Sequence, residues 1–213
     1  MKIVRSKRKT LCIHIDPHGE IILRAPMGMS DEAVLRFAEE KRGWIESKSA
    51  LVRSRAQAFS EFYAFKKVLI RGAVYEIKET PNIRTAKIKQ GYVAVPLGKP
   101  QAALAAVRRY GEEFLRVRID EICRQSGLTY SNLMIRSYKS KWGLCRQDGS
   151  ISLNWRLIML PDSLIDYVIY HELCHRIHMD HSQKLWSILN KYYPNSNICR
   201  KNIKNYSNFC NYP

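Results

Sequence analysis

The stretch that decides the fold is YHELCHRIHMDH, residues 170–181. It contains H-E-x-x-H as His171-Glu172-Leu173-Cys174-His175. On a helix, positions i and i+4 lie one turn apart, so both imidazoles leave from one face. Two neutral nitrogens placed in this way hold a single zinc at about 2.0–2.1 Å each. Glu172 lies about a quarter-turn round the helix from His171. From there its carboxylate reaches a water on the metal without ligating the metal, as a general base must. With six His and twelve Glu in 213 residues, the motif arises by chance in roughly one chain in a hundred.

A catalytic zinc needs a third protein ligand and an open fourth position. No Glu follows Glu172, which excludes a zincin whose third ligand is a Glu on a later helix. The nearby residues left are His178, Asp180 and His181. Three such residues on one straight helix rarely converge on one ion, which counts against His178. His181 lies beyond the expected helix end, just before a Ser182 cap, where a turn swings it back. The sequence therefore predicts zinc on His171, His175 and His181, with Glu172 as catalytic acid/base and His178 and Asp180 behind the ligands or at the surface. The spacing H-E-x-x-H-x5-H is that of metzincins, although His178 stands where they carry Gly and no Met follows Met179 to form a Met-turn.

Outward from this helix, Pro161 and a Ser163-x-x-Asp166 capping box predict its start, and its end falls near Ile177. Leu133–Lys139 and Ser150–Met159 read as strands joined through Asp148-Gly149. The second is expected to be the edge strand that pairs with an extended peptide, with Asn154 and Trp155 flanking the cleft. Arg136, Lys139, Lys141 and Arg146 cluster upstream, suited to a triphosphate, with Trp142 available for stacking. Tyr170, Tyr192 and Tyr193 are candidate donors to an oxyanion.

Further out, Leu11–Ile15 and Glu20–Ala25 flank Asp16-Pro17-His18-Gly19 and predict a hairpin. Ser30 caps a helix running to about Arg55. Short strands follow from Lys66 to Val95, then a long helix from Gln101 to Ser126 that closes at Gly127. A shorter helix begins at Ser182 and stops before Pro194. The organisation expected is α+β: a basic mixed subdomain over 1–100, a zincin-like metallohydrolase region over 101–194, and an Asn-rich tail over 195–213 without apolar period.

The chain carries 36 Lys and Arg against 19 Asp and Glu, a formal charge of +17. Residues 41–100 hold thirteen basic and four acidic residues, more than half of the excess. An anionic partner such as nucleic acid is therefore admissible, through Arg42, Lys48, Arg53, Arg55, Lys66 and Lys67. No apolar run approaches the roughly 18 residues of a membrane span, and the N-terminus lacks an export signal, so the expected location is the cytoplasm. Six cysteines form no C-x-x-C pair and read as buried thiols.

The sequence resembles the YgjP-like metallopeptidase family, predicted metal-dependent hydrolases with a zincin-type core. The likeness lies in Arg136-Ser137-Tyr138-Lys139-Ser140-Lys141-Trp142-Gly143-Leu144-Cys145, Ile151-Ser152-Leu153-Asn154, Leu160-Pro161, Tyr167-Val168, the H-E-x-x-H helix, His181-Ser182 and Leu185-Trp186. Arg5-Ser6-Lys7-Arg8-Lys9-Thr10, Arg24-Ala25-Pro26 and Trp44-Ile45 extend it over nearly all of 1–194. The resemblance implies His171, His175 and His181 as ligands and Glu172 as acid/base. Leu144 departs from the family's usual Ser, and the tail replaces a Trp-containing segment. Three functions follow as expectations: a zinc peptidase acting on peptide or protein, a UTP pyrophosphatase as some relatives are named, and a nucleic-acid-associated protein with a metal site.

Overall fold

The computed structural model describes residues 1–16 and 19–212, with the side chains of 55–58 and 211 outside the description. The Pro17-His18 part of the first expected turn and the Arg55 side chain thus lie outside the described residues. The chain is α+β, and its contacts divide it into Met1–Glu61 and Phe62–Pro213.

In the first unit β1 (Lys2–Ser6), β2 (Cys12–Ile15) and β3 (Ile21–Pro26) form a sheet in the order β1-β3-β2. The expected hairpin is the antiparallel β2/β3 pair. α1 (Asp31–Glu40) begins at Ser30, whose hydroxyl accepts the Ala33 N–H at 3.3 Å. A separate α2 (Arg42–Ala58) follows, so the single helix expected from Ser30 to Arg55 is two. The break falls at Lys41, next to Gly43, whose missing side chain makes helix costly there. Leu23, Ala25, Val34, Ala38 and Ile45 form this unit's core.

The division falls within α3 (Ser60–Tyr63), so residues 62–100 pack in the second unit and not with 1–61 as a subdomain. β4 (Lys67–Ile70), β5 (Ala73–Thr80), β6 (Lys87–Lys89) and β7 (Tyr92–Pro96) form a sheet in the order β4-β5-β7-β6. The β4/β5 turn is Arg71-Gly72, both with positive φ (51° and 79°), as a tight hairpin demands. Its tip meets residues 158–161. Arg71 N–H donates to Ile158 C=O at 2.6 Å, and a Cβ on Gly72 would lie 2.9 Å from Pro161. α4 (Ala102–Ser126) spans 25 residues and closes at Gly127 with φ 73°, as the sequence predicts.

β8 (Asn132–Arg136), β9 (Gly143–Cys145) and β10 (Ser150–Asn154) form the third sheet in the order β8-β10-β9. Here the sequence reading needs correction. The Asp148-Gly149 hairpin joins β9 to β10, while β8 runs parallel to β10. β10 is the buried central strand, and it ends at Asn154, after which Trp155–Met159 forms a 3-10 helix. β10 therefore has no open edge to offer a peptide; β9 does.

α5 (Asp162–Cys174) follows Pro161, which occupies the N-cap without a side-chain bond. Ser163 is inside the helix and Asp166 binds Arg118 at 2.7 Å, so the expected capping box is absent. α5 also stops earlier than Ile177. α6 (Gln183–Tyr192) starts after Ser182 and ends before Pro194 as expected. The Asn-rich tail folds as α7 (Ser196–Asn202) and a 3-10 helix over Ile203–Asn211, burying Cys199, Phe209, Cys210 and Tyr212. Among the described residues no helix is long and apolar enough to cross a membrane. All six cysteines are free, and Cys145, Cys174, Cys199 and Cys210 are buried.

Candidate metal centre

α5 presents His171, Glu172 and His175, and the chain then turns at once. His175 caps the helix, His178 N–H returns to Cys174 C=O at 3.0 Å, and the loop brings His181 back. The turn is held locally. The Asp180 carboxylate accepts the Ser182 N–H at 2.7 Å and lies 3.1 Å from His178 Nε2, which is also 3.0 Å from Ser182 Oγ. His178 and Asp180 thus stand behind the ligands.

The Nε2 atoms of His171 and His175 are 3.2 Å apart, as are those of His171 and His181. All three candidate ligand atoms lie within 4.8 Å of one another. Nitrogens at about 2.0–2.1 Å from one tetrahedral ion are separated by about 3.3 Å, which two of the three pairs match. Three ring nitrogens converging in this way offer a metal ion three ligand atoms.

The outer ring atoms set the orientation. His175 Nδ1 lies 3.1 Å from His178 C=O, and donation there leaves the Nε2 lone pair available to ligate a metal. The Trp186 ring of α6 stacks on His171 with centroids 5.5 Å apart, and its Nε1–H donates to His181 C=O at 3.1 Å. Arg200 of α7 lies over the same Trp186 ring, 3.8 Å from its centroid. His171 Nδ1 is buried with no bond among the described residues. Burial, then the neighbouring His175, His181 and Arg200, hold the His171 pKa down at about 3. Burial likewise lowers His175. Both rings are therefore neutral at pH 7, the state a metal requires.

Glu172 is 6% exposed. Burial raises its pKa to about 8, opposed by the Cys145 N–H and by Lys141. The space it occupies depends on Gly143 of β9: a Cβ there would lie 2.5 Å from Glu172 Oε1 and 2.6 Å from its Cγ. Gly143, Leu144, Cys145 and Met179 join the three histidines and Glu172 around a cavity of about 260 Å³. β9 pairs with β10 on one side only, and that pairing continues at Arg146 N–H to Ser150 C=O. By the two-residue alternation, Gly143 and Cys145 turn their backbone groups to the open side.

The other expected site residues lie elsewhere. Asn154 is fully buried, its amide donating to Tyr138 C=O (3.0 Å) and Lys141 C=O (3.1 Å) while Oδ1 accepts the Arg156 N–H. It pins the 138–141 loop and does not flank the cleft; Trp155 is buried as well. Arg136 is exposed at the end of β8, its guanidinium against Met134 sulfur, and Lys139 is exposed in the following loop. Trp142 is half-buried, its C=O accepting the Asn154 N–H at 2.8 Å. None of these four lines the cavity. Tyr193 donates to Ser163 C=O at the far end of α5 and stacks on Tyr170, and neither tyrosine lines the cavity. Sequence reasoning passed over Gly143 and Cys145 as parts of the site, although both stand in the Trp142-Gly143-Leu144-Cys145 run that carries the family resemblance.

A family model described as YgjP-like, metallopeptidase domain, matches residues 9–206. Neither the curated proteins nor the solved structures contain a match to the chain.

Proposed function

The chain belongs to the YgjP-like metallopeptidase family, and from that premise we propose that it is a zinc-dependent peptidase with a zincin-like active site. His171, His175 and His181 hold the metal. The observation that carries this reading is the convergence of three imidazoles beside one buried carboxyl, in a cavity walled by an edge strand. When bound, zinc supplies a Lewis acid and brings the pKa of a water toward 7.

The chain's own residues do the rest. Glu172 accepts the proton of the attacking water and returns it to the leaving nitrogen. A cation beside it opposes the burial that raises its pKa, so the loaded site favours the ionised, proton-accepting form. Gly143 leaves the room this carboxylate needs. Beyond the Cys145 N–H that Glu172 takes, the unpaired edge of β9 gives an extended peptide backbone partners beside the ligands, which orients the scissile carbonyl toward Glu172.

A triphosphate reading draws on Lys141, the cation whose field reaches Glu172. Against it, Glu172 is the one carboxyl lining the cavity, too few for a magnesium nucleotide. The test is the protein purified with its metal, assayed on an unfolded protein and on UTP, as wild type and as Glu172→Gln. We expect about one zinc per chain in both forms and at least about 100-fold loss of peptide cleavage in the variant. Turnover of UTP that depends on Glu172, without peptide cleavage, would replace this reading with the nucleotide one.

A further inference from the structure

The β4-β5-β7-β6 sheet has one face covered by α4 and an opposite face that is exposed along β5 and β6, while Leu69 and Ala94 on that face are buried and Lys67 is half-buried. α4 packs on β4, β6 and β7, and Val68, Ile70, Val93 and Val95, which alternate onto one face, are buried. The register fixes what lies opposite. Lys67 is paired with Glu76, Glu76 with Tyr92 and Tyr92 with Lys89, while Lys78 is paired with Ala94 and Ala94 with Lys87. Lysines 67, 78, 87 and 89 therefore surround Tyr92 on one pleated surface, with Glu76 as its acid.

Lys78 is held between Glu76, 3.0 Å away, and the Tyr92 ring, 5.3 Å away. Lys87 and Lys89 are exposed and make no ion pair among the described residues. They lie about 7 Å apart along β6, and Lys87 lies about 10 Å from Lys78 across two strand spacings. From residue 80 to residue 111 the sequence contains no Asp or Glu, while Arg84 and Lys99 add to the same excess.

We propose that this open sheet face binds single-stranded nucleic acid, its lysines meeting phosphates and Tyr92 giving a base a surface to stack on. Cations spaced along and across strands around an aromatic ring suit a flexible polyanion with flat bases. An anionic membrane is disfavoured, because the face has only Val74 as an exposed large apolar side chain and nothing to insert between lipids. The site is separate from the metal cavity, and the proposal stands whether or not the chain is a peptidase.

The test uses the full chain and a fluorescent oligonucleotide of about 20 residues, titrated by anisotropy between 50 and 200 mM salt. Three or four phosphate contacts give a slope of log K against log salt of about −2 to −3, and thus roughly a 20- to 50-fold loss of affinity over that range. Lys87→Glu/Lys89→Glu should weaken binding at least about tenfold and cut the slope by about 1.4. Lys87→Gln/Lys89→Gln should do the same to the slope, and circular dichroism of both variants should match wild type. No binding at 50 mM salt would overturn the proposal. So would binding that ignores both lysine pairs but is lost in Arg42→Glu/Lys48→Glu on α2. Capture by phosphatidylserine vesicles without oligonucleotide binding would assign the face to a membrane instead.

Discussion

On one side of the candidate metal cavity, His171 and His181 lie ten positions apart, and the bonds that orient the triad come from the same short turn and the helix just after it: His178 C=O on His175, Asp180 and Ser182 on His178, Trp186 on His181. On the other side, Gly143 meets Glu172 only because β9 is paired to β10 and the sheet is laid against α5. The first wall is made by neighbours in sequence, the second by tertiary packing. Metal retention and catalytic competence should accordingly separate under mutation.

Gly143→Ala tests that separation most strongly. The new methyl would overlap the Glu172 carboxyl, whose displacement by about 1 Å is worth about 100-fold in rate. Activity on an unfolded protein should fall by that factor while zinc per chain, measured by atomic absorption, stays at the wild-type level. Zinc lost in step with activity would mean the two walls are one unit.

Asn154→Ala attacks the packing one step further away. It leaves Tyr138 C=O without its buried donor and Lys141 C=O with only the weak Cys210 S–H, at a cost of about 1–3 kcal/mol in urea unfolding. Zinc affinity should not change, since no histidine touches Asn154. Trp186→Phe works on the local wall from outside: it keeps an aromatic ring against His171 but removes the N–H that holds His181 C=O. Competition with a chelator should show zinc affinity about tenfold weaker, the low end of what loss of such an outer contact brings. An unchanged affinity would reduce Trp186 to packing.

This contrast also explains what could be read in advance. The triad and Glu172 are written in one helix and one turn, where spacing alone carries direction. β9 is three residues long, too short for an alternating pattern, so the Asp148-Gly149 turn was assigned to the wrong strand partner and Asn154 to the cleft rather than to the loop it pins. In the tail, Cys199, Phe209, Cys210 and Tyr212 are buried by α7 and a 3-10 helix. Their irregular spacing has neither the 3.6-residue nor the two-residue period that would have announced it. α4 was legible at both ends because it is long and Gly127 supplies its left-handed stop.

The smallest expected effect lies where the two kinds of wall join, at the first turn of α5. Asp162 accepts both Nε and Nη2 of Arg71 from the β4/β5 turn, and this pairing holds its carboxyl below the usual carboxylate range. A depressed folded pKa stabilises the fold above the ordinary Asp value of about 4, and the gain is lost as pH falls through the folded value. Both side chains are nearly half exposed, 44% and 48%, so solvent screening keeps the contribution below about 1 kcal/mol. Asp162→Asn should therefore lower the Tm at pH 7 by about 1–3 °C. The gap from wild type should narrow as pH drops below about 4, with zinc content unchanged. A gap that persists into acid would mean that Arg71 anchors α5 through the backbone bond to Ile158 and the Gly72–Pro161 contact, with charge contributing nothing.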